Sequence, residues 1–321
     1  TGVITPFGYV TGPDGFVGIM ALADENLIVG TTTVARGSGT AIEDGKKAAW
    51  KAMEAAGQTT PPDYFYMAAS PAEEELYLKG ITSVIGRVPM FGGSAADNTI
   101  AGNWQLYSDK GVCPDGVVLA FFYTKKGIAN VYTGAYRETG DMGIITKING
   151  LRTLAEIDGE PALQKYAGWR GMDVNELKGG SLLAKSVVSP LGVKDRLGDL
   201  TAIRHPMNGN EDLSIAVGNN LAVGTAVIRV EATVDELIDS AGQTAEQLKE
   251  KLPGAGAYHF VHCGGRRAGI GDRIDEVAGQ LIRAADGVPF IAEFTFGEYG
   301  YVEDGRNTCG GLMLSFTGFE K

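Results

Sequence analysis

Two charged side chains stand in glycine-rich segments of the C-terminal half. Arg266 follows Gly264 and Gly265, and Glu298 follows Gly297. A guanidinium binds a carboxylate and a carboxylate binds an ammonium group, so the pair could bind a small ligand that carries both charges. The glycines would let such a ligand approach the backbone closely. The alternative interpretation is that Arg266 and Glu298 pair with each other or only hold their turns.

Cys263 precedes the same glycines and is a candidate nucleophile. Arg266 and Arg267 are close in sequence, and neighbouring cations lower the pKa of a thiol and favour the thiolate. His262 is adjacent, but successive side chains on a strand point to opposite faces, so it is poorly placed as a base for this thiol. The simpler interpretation is a buried structural cysteine, in which case the chain need not be an enzyme.

The N-terminal half offers a second set of candidate binding residues, which are mostly small and neutral. Asp97 could accept an ammonium group, while Ser94 and the backbone amides beside Gly92 and Gly93 could bind a carboxylate. Ser70 ends a nearby aromatic strand and would face the same site. The alternative is that the two glycines form a turn and Asp97 caps it, as aspartate commonly does.

The three histidines do not form a metal motif. His259 and His262 are three apart on a predicted strand, which directs them to opposite faces, and His205 lies in a separate segment. Any one of them could be an axial haem ligand. A lone histidine is more often a core or loop residue, so no cofactor is predicted and haem stays an alternative.

The two halves of the chain carry one pattern of elements, and this pattern must position the candidate residues. Residues 64–123 and 258–316 each contain an aromatic strand, a helix ending in glycine, a Val-Pro pair, a glycine-rich turn and another strand. The order of strands and helices predicts an α/β fold of two pseudo-repeated lobes, each a mixed β-sheet packed with helices. Equivalent loops of the two lobes should then face one shared site.

Several helix boundaries are explicit in the sequence. Thr40 with Glu43 forms a capping box, and Ser70 is expected to cap a helix that ends at Gly86. Thr233 and Thr244 each suggest the start of a short helix. An apolar segment at residues 16–22 predicts a strand.

Composition limits the partners of the chain. Its 321 residues carry a net charge of −11, which argues against binding nucleic acid or an anionic membrane. The three cysteines lack the spacing of a disulfide framework or zinc site, which favours a reducing compartment. The apolar segments are far shorter than the roughly 20 residues that span a bilayer. These features predict a cytoplasmic protein.

Ordered landmarks along most of the chain resemble the FIST family. The N-terminal half contains Val88-Pro-Met-Phe-Gly-Gly-Ser-Ala-Ala-Asp97. The C-terminal half contains, in order, Ile157-Asp-Gly-Glu-Pro-Ala162, Ile203-Arg204, Cys263-Gly-Gly-Arg266 and Phe296-Gly-Glu-Tyr-Gly300. A polar, glycine-containing stretch at Asn149-Gly150 follows the first set of strands, and we therefore expect an N-terminal FIST region at residues 1–149 and a C-terminal FIST region at residues 150–321.

The resemblance implies a sensory protein that binds a small ligand such as an amino acid. A subset of FIST proteins binds haem and responds to nitric oxide, and output would pass to a separate signalling protein such as a histidine kinase. We therefore expect the protein to bind a small polar ligand between the lobes. The alternatives are a haem-binding gas sensor and an enzyme that uses Cys263 as its nucleophile. The expected binding residues are Ser70, Gly92, Gly93, Ser94, Asp97, Cys263, Arg266, Gly297 and Glu298.

Overall fold

The structure is a computed structural model that describes residues 2–12, 15–194, 200–302 and 307–321. Its helices in chain order are α1 (Ala41–Ala55), α2 (Glu74–Ile85), α3 (Ala162–Trp169), α4 (Leu183–Ser186), α5 (Val234–Lys251), α6 (Gly264–Ile270) and α7 (Ile274–Ala285). Short 3-10 turns lie at Val174–Glu176 and Gly271–Arg273. Within the described ranges, no helix is long and apolar enough to cross a membrane.

The strands fall into three larger sheets and one separate hairpin. In chain order they are β1 (Val3–Thr5), β2 (Gly8–Val10), β3 (Ile28–Ala35), β4 (Tyr64–Ala69), β5 (Met90–Ser94), β6 (Leu106–Ser108), β7 (Gly111–Cys113), β8 (Gly116–Tyr123), β9 (Ile128–Thr133), β10 (Arg137–Ile148), β11 (Thr153–Ile157), β12 (Glu160–Pro161), β13 (Gly180–Ser181), β14 (Leu191–Lys194), β15 (Thr201–Arg204), β16 (Pro206–Gly209), β17 (Ile215–Val217), β18 (Ala226–Glu231), β19 (Ala255–Cys263), β20 (Phe290–Thr295), β21 (Glu298–Gly300), β22 (Thr308–Gly310) and β23 (Leu314–Glu320). β6 and β7 form the hairpin.

Two of the sheets repeat one topology. The first sheet has the order β22-β21-β5-β4-β8-β3, and the second has β2-β1-β20-β19-β23-β9. β4 is parallel to β5 and antiparallel to β8, just as β19 is parallel to β20 and antiparallel to β23. The predicted α/β fold with two pseudo-repeated lobes is therefore confirmed.

The two repeated sheets pack face to face with helices on their outer sides. Phe91 and Phe122 of the first sheet contact Phe319 of the second, with ring centroids 5.8 and 6.2 Å apart. On the outer faces α1 and α2 cover the first sheet, while α5 and α7 cover the second. Because successive residues of a strand point to opposite sides, Tyr64 and Tyr66 of β4 lie in the cluster between the sheets, while Phe65 and Met67 lie in the core under the helices.

The third sheet forms an insertion in the second lobe. Its nine strands, β10 to β18, lie in sequence between β9 and α5, whereas the first lobe passes directly from β3 to α1. The insertion has its own core, which includes Ile145, Leu154, Tyr166 and Val227. The sequence pattern gave no sign that this domain interrupts the repeat.

The chain crosses between the repeated sheets after Thr295. β20 belongs to the second sheet, yet β21 pairs with β5 of the first, with Glu298 opposite Gly93. β9, in turn, precedes residue 150 and lies in the second sheet. The family boundary at residues 149 and 150 stays a prediction, and the sheets interleave across it.

Three local expectations are corrected. α2 begins at Glu74 rather than beside Ser70, because Ala72 takes a left-handed conformation with φ of 94°. The segment after Thr233 forms one helix, α5, rather than two short ones. Thr244 does not cap a second helix, because its hydroxyl donates to the Ser240 carbonyl one turn earlier, at 2.7 Å. Residues 16–22 form no strand.

Candidate functional site

The carboxyl ends of four central strands meet where the chain crosses between the sheets. Ser94 ends β5, Cys263 ends β19 and Thr295 ends β20, while Ser70 directly follows β4. In open α/β sheets, ligands bind outside the carboxyl ends of parallel strands. The structure brings Gly93, Ser94, Gly297 and Glu298 together at this crossing, and it places Cys263 and Arg266 behind it.

Gly92 and Gly93 permit close backbone packing at the crossing. Gly92 has φ of +132°, and a β-carbon there would overlap the Met67 carbonyl oxygen. A β-carbon on Gly93 would lie 2.5 Å from Thr295 Cγ2. Only glycine fits the positive φ at Gly92 and the close contact with Thr295 at Gly93, so this pair lets the two sheets pack closely. Gly93 also lines the cavity described below.

Ser94 fastens the crossing segment to the first lobe. Its backbone N–H donates to the Gly297 carbonyl at 2.7 Å, and its carbonyl accepts from Phe296 N–H at 3.2 Å. The buried hydroxyl donates to Glu74 Oε1 at 2.9 Å and lies 2.8 Å from Tyr299 Oη. A β-carbon on Gly297 would lie 2.7 Å from Ser94 Oγ, which explains the glycine.

Glu298 is completely buried and hydrogen-bonded within the protein. The Thr295 hydroxyl donates to its Oε1 at 3.0 Å, and Met313 N–H donates to its Oε2 at 2.9 Å. Burial raises the pKa of Glu298 to about 8, and the hydrogen bonds only partly oppose this. At neutral pH the side chain is mainly the uncharged acid, and it does not line the cavity.

Arg266 is also completely buried and points away from the cavity. Its Nη2 donates to the Leu237 carbonyl at 2.7 Å and to the Ser240 hydroxyl, both on α5. Nε and Nη1 have no hydrogen-bond partner among the described residues. Burial lowers the pKa of Arg266. The expectation that Arg266 and Glu298 face the ligand is not supported, because neither lines the cavity, and within the described chain they form no ion pair.

Cys263 has the environment of a structural cysteine. Its buried sulfur accepts backbone N–H groups from Gly265 at 3.2 Å and Leu312 at 3.3 Å. Burial, and then the neighbouring Glu298, raise the pKa of the thiol, which opposes formation of the candidate thiolate. This environment fits the simpler interpretation of a buried structural cysteine, because burial disfavours a charged thiolate. His262 Nδ1 contacts the Cys263 carbonyl, not its sulfur.

Ser70 and Asp97 hold local structure on either side of the crossing. Ser70 Oγ donates to Asp115 and accepts from Gly116 N–H at 3.0 Å, which ties the end of β4 to the start of β8. Asp97 accepts backbone N–H groups from residues 99, 101 and 103. This is the capping geometry that was the alternative to a ligand contact for Asp97.

A cavity of about 560 Å³ opens at the crossing between the two repeated sheets. This volume falls within the range of about 300 to 1,000 Å³ typical of small-molecule sites. Both lobes contribute to it, together with the loop before the β6–β7 hairpin. Its polar and aromatic lining comprises Tyr66, Ser94, Asn103, Trp104, Gln105, Tyr107, Glu293, Phe294 and Thr295.

Glu293 is the functional candidate that sequence reasoning missed. Its Oε1 lies 3.2 Å from His259 Nε2 and accepts from Tyr66 Oη at 3.5 Å. Burial, and then Glu293, hold the pKa of Tyr66 well above its usual value, so the phenol stays protonated and can donate. A signal was present in the sequence, since Glu293 is the charged residue in the apolar strand Phe290–Thr295.

A buried polar chain leads from the cavity to the inserted domain. Ser94 contacts Glu74, and Arg152 Nη2 binds both Glu74 and Glu75, the latter at 2.6 Å. Glu75 Oε1 accepts from Asn220 N–H at 2.9 Å. Burial raises the pKa of Glu74, while Arg152 opposes this. This chain joins the first lobe to the third sheet, with Ser94 and Glu74 buried and with Arg152 and Glu75 19% and 21% exposed.

The histidines do not fit an axial haem ligand at this cavity. His205 Nε2 contacts the Leu183 carbonyl at 3.0 Å, and His259 contacts Glu293. His262 is wholly buried against the Phe294 ring. None of these three lines the cavity, and the described parts of the chain contain no cluster of three or more His, Cys, Asp or Glu side chains arranged for a metal ion.

Comparison with known families is consistent with this architecture. The FIST N domain matches residues 2–160, and the FIST C domain matches residues 162–301. No curated protein matches the chain. FIST domains are linked to sensory and signal-transduction roles. Because the two matches together span nearly the whole sequence and follow the order of the landmarks above, the chain belongs to the FIST family.

Proposed function

We propose that this protein is a sensor that binds an amino acid or a related small polar metabolite between its two repeated lobes. The observation that carries the proposal is the cavity of about 560 Å³ at the carboxyl ends of β4, β5 and β20. Aromatic and aliphatic side chains line it together with a few polar groups from both lobes, which is the composition expected of a specific small-molecule site.

Ligand binding would act by shifting the population of two lobe arrangements. A ligand favours whichever arrangement it binds more tightly, and the shift is limited by the difference in affinity. Ser94 lines the cavity and contacts Glu74, which is paired with Arg152 of the insertion. A change at the crossing would therefore alter how the inserted domain sits against α2. A separate cytoplasmic signalling protein, such as a histidine kinase, would read that change.

The Cys263 enzyme and the haem sensor have less support. The Cys263 sulfur is buried, accepts two backbone hydrogen bonds and has a raised pKa. His205 and His259 contact other groups of the protein, His262 is buried, and none of the three lines the cavity. Neither alternative gains a specific observation from the geometry.

Thermal shift against a panel of amino acids and related metabolites tests the proposal. A ligand present at 100 times its Kd should stabilise the protein by about 2.7 kcal/mol, which raises the melting temperature in a concentration-dependent way. Ala96 lines the cavity, so Ala96→Phe should abolish the shift. Ala222→Phe, at an exposed position in the insertion, is the matched control and should retain it.

A flat response to every compound would contradict the proposed function. A shift that persists in Ala96→Phe would place binding elsewhere on the protein. Each variant is first compared with the unmodified protein in the absence of ligand, so that a loss of response is not confused with a loss of folding.

A further inference from the structure

The charge of the cavity lining indicates which end of a ligand it recognises. Among the described lining residues, Glu293 is the charged one, and neither lysine nor arginine is present. A free carboxylate in this cavity would meet Glu293 without a compensating cation. A cationic group would instead gain an ion pair with Glu293, and a protein of net charge −11 also attracts cations over longer range.

One oxygen of Glu293 is already occupied and the other is available. His259 and Tyr66 both contact Oε1, while Oε2 makes no hydrogen bond to any described residue. About a third of the side chain is exposed. His259 and Tyr66 thus fix the carboxylate from one side, as supporting residues do in preorganised sites, and leave Oε2 to accept from a ligand.

The aromatic residues of the cavity suit a cation as well. Tyr66, Trp104 and Tyr107 all line it, and the Trp104 ring is held edge-on to Phe296 with centroids 6.1 Å apart. Aromatic faces attract ammonium groups through the negative electrostatic potential above the ring. The side-chain amides of Asn103 and Gln105 add neutral groups that can bind the rest of a polar ligand.

The repeat explains how this subsite arose on one side only. Glu293 occupies the position in β20 that Gly93 occupies in β5, as the strand registers after the two Val-Pro pairs show. His259 likewise corresponds to Tyr66, and their rings lie 5.8 Å apart across the interface. One lobe supplies the carboxylate, and the other has a glycine at the equivalent position, where Thr295 packs directly against the backbone.

We propose that Glu293 is the ammonium-binding residue of the cavity and that the ligand is a small organic amine whose carboxylate, if it has one, is dispensable. This inference rests on the proposed function, because it assigns a ligand class to the same cavity. It differs from the sequence-based expectation, in which Arg266 and Glu298 held the two charged ends.

Calorimetric titration with three matched series tests the inference. Leucine, phenylalanine and glutamine are each compared with the amine that lacks the carboxylate and with the acid that lacks the amine. In at least one series the amine should bind within about tenfold of the amino acid, and the acid should show no measurable binding. Glu293→Gln should weaken amine binding by about 10- to 100-fold, the effect of one hydrogen bond to a charged group.

Two further variants keep the result interpretable. Glu293→Asp retains the charge and should retain the preference for amines over acids. Glu298→Gln changes a buried carboxyl that does not line the cavity and should leave affinity within about twofold. Acids that bind as tightly as amines, an unchanged Kd in Glu293→Gln, or no binding by any of the nine compounds would overturn the inference. The wider metabolite panel with Ala96→Phe still tests the cavity separately.

Discussion

The two repeated lobes share a strand order but differ at equivalent positions around the crossing. At the ends of β4 and β19 the two lobes make the same kind of hydrogen bond with different atoms. The Ser70 hydroxyl accepts Gly116 N–H, and the Cys263 sulfur accepts Leu312 N–H. On the inner faces the difference concerns the cavity lining, since Gly93 lets Thr295 pack against the backbone of β5, whereas Glu293 of β20 brings a charge into the cavity. The comparison teaches that a shared scaffold keeps its structural hydrogen bonds while it specialises the residues facing the interface.

The largest effect is expected at the ion pair between Arg152 and Glu74, which joins the insertion to the first lobe. Arg152→Met leaves Glu74 buried without its ion-pair partner, which should reduce the free energy of unfolding by about 3 to 5 kcal/mol. The second lobe is joined to the insertion by the Arg137–Glu236 pair, which is about half exposed and should therefore contribute much less. Urea denaturation measures the loss, and Lys147→Met, which breaks the exposed pair with Glu156, is the control that should change little. Equal losses in the two variants would refute a special role for the Arg152 link.

Substitutions at equivalent positions of β5 and β20 should reduce the stability of the protein by different amounts, both smaller than the loss expected for Arg152→Met. Gly92→Ala forces an L-residue into φ of +132° against the Met67 carbonyl, and about 3 kcal/mol of stability should be lost. The equivalent residue of β20 is Ala292, where Ala292→Gly should cost about 1 kcal/mol. Chemical denaturation of both variants compares them directly, and a Gly92→Ala protein as stable as the parent would show that β5 is not so constrained.

The buried acid at the crossing should make stability fall as pH rises. The pKa of Glu298 is about 8 in the folded protein, above the ordinary value of about 4.3 in an unfolded chain. The folded state then holds a proton that the unfolded state releases, so stability falls by at most about 1.4 kcal/mol per pH unit between pH 5 and 8. The difference between unmodified protein and Glu298→Gln isolates this contribution. A difference that does not vary with pH would contradict the burial of an uncharged acid.

The smallest effects are expected at the paired strand ends. Ser70→Ala leaves the Gly116 N–H without its side-chain acceptor, and Cys263→Ala leaves the N–H groups of Gly265 and Leu312 without theirs. Each change should cost about 1 to 2 kcal/mol, because hydrogen bonds to sulfur are weak. Thermal denaturation of both variants tests whether the two positions are energetically alike. In the folded protein Cys263 should also resist alkylation at pH 7, whereas rapid modification would show that the thiol is accessible.

Much of the repeat could be predicted from the sequence. The aromatic strands, the capping box at Thr40 and the paired Val-Pro segments are local signals, because they depend on residues close together in the chain. They were sufficient for the two lobes and for the loops that converge on the crossing. Gly93, Ser94, Gly297 and Glu298 do lie there.

The roles of individual side chains could not be predicted, because burial depends on distant elements. Arg266 is enclosed by Leu237 and Ser240 of α5, which pairwise spacing in the sequence does not reveal. In the sequence, Glu293 is an isolated charge in a strand, and only the structure shows that Tyr66 of the other sheet contacts it. The first strand of the second lobe, β9, could not be assigned to that lobe from the sequence, because the insertion separates it from α5 and β19. Long-range topology, rather than residue type, decided which charges face the cavity.

A crystal structure of the protein soaked with the tightest-binding amine from the matched series would test the assignment of the cavity most directly. We predict difference density between the two repeated sheets, with the ligand nitrogen within hydrogen-bonding distance of Glu293 Oε2 and with the aromatic rings of Tyr66 and Trp104 nearby. Density at another surface, or a ligand in the cavity whose nitrogen points away from Glu293, would contradict it.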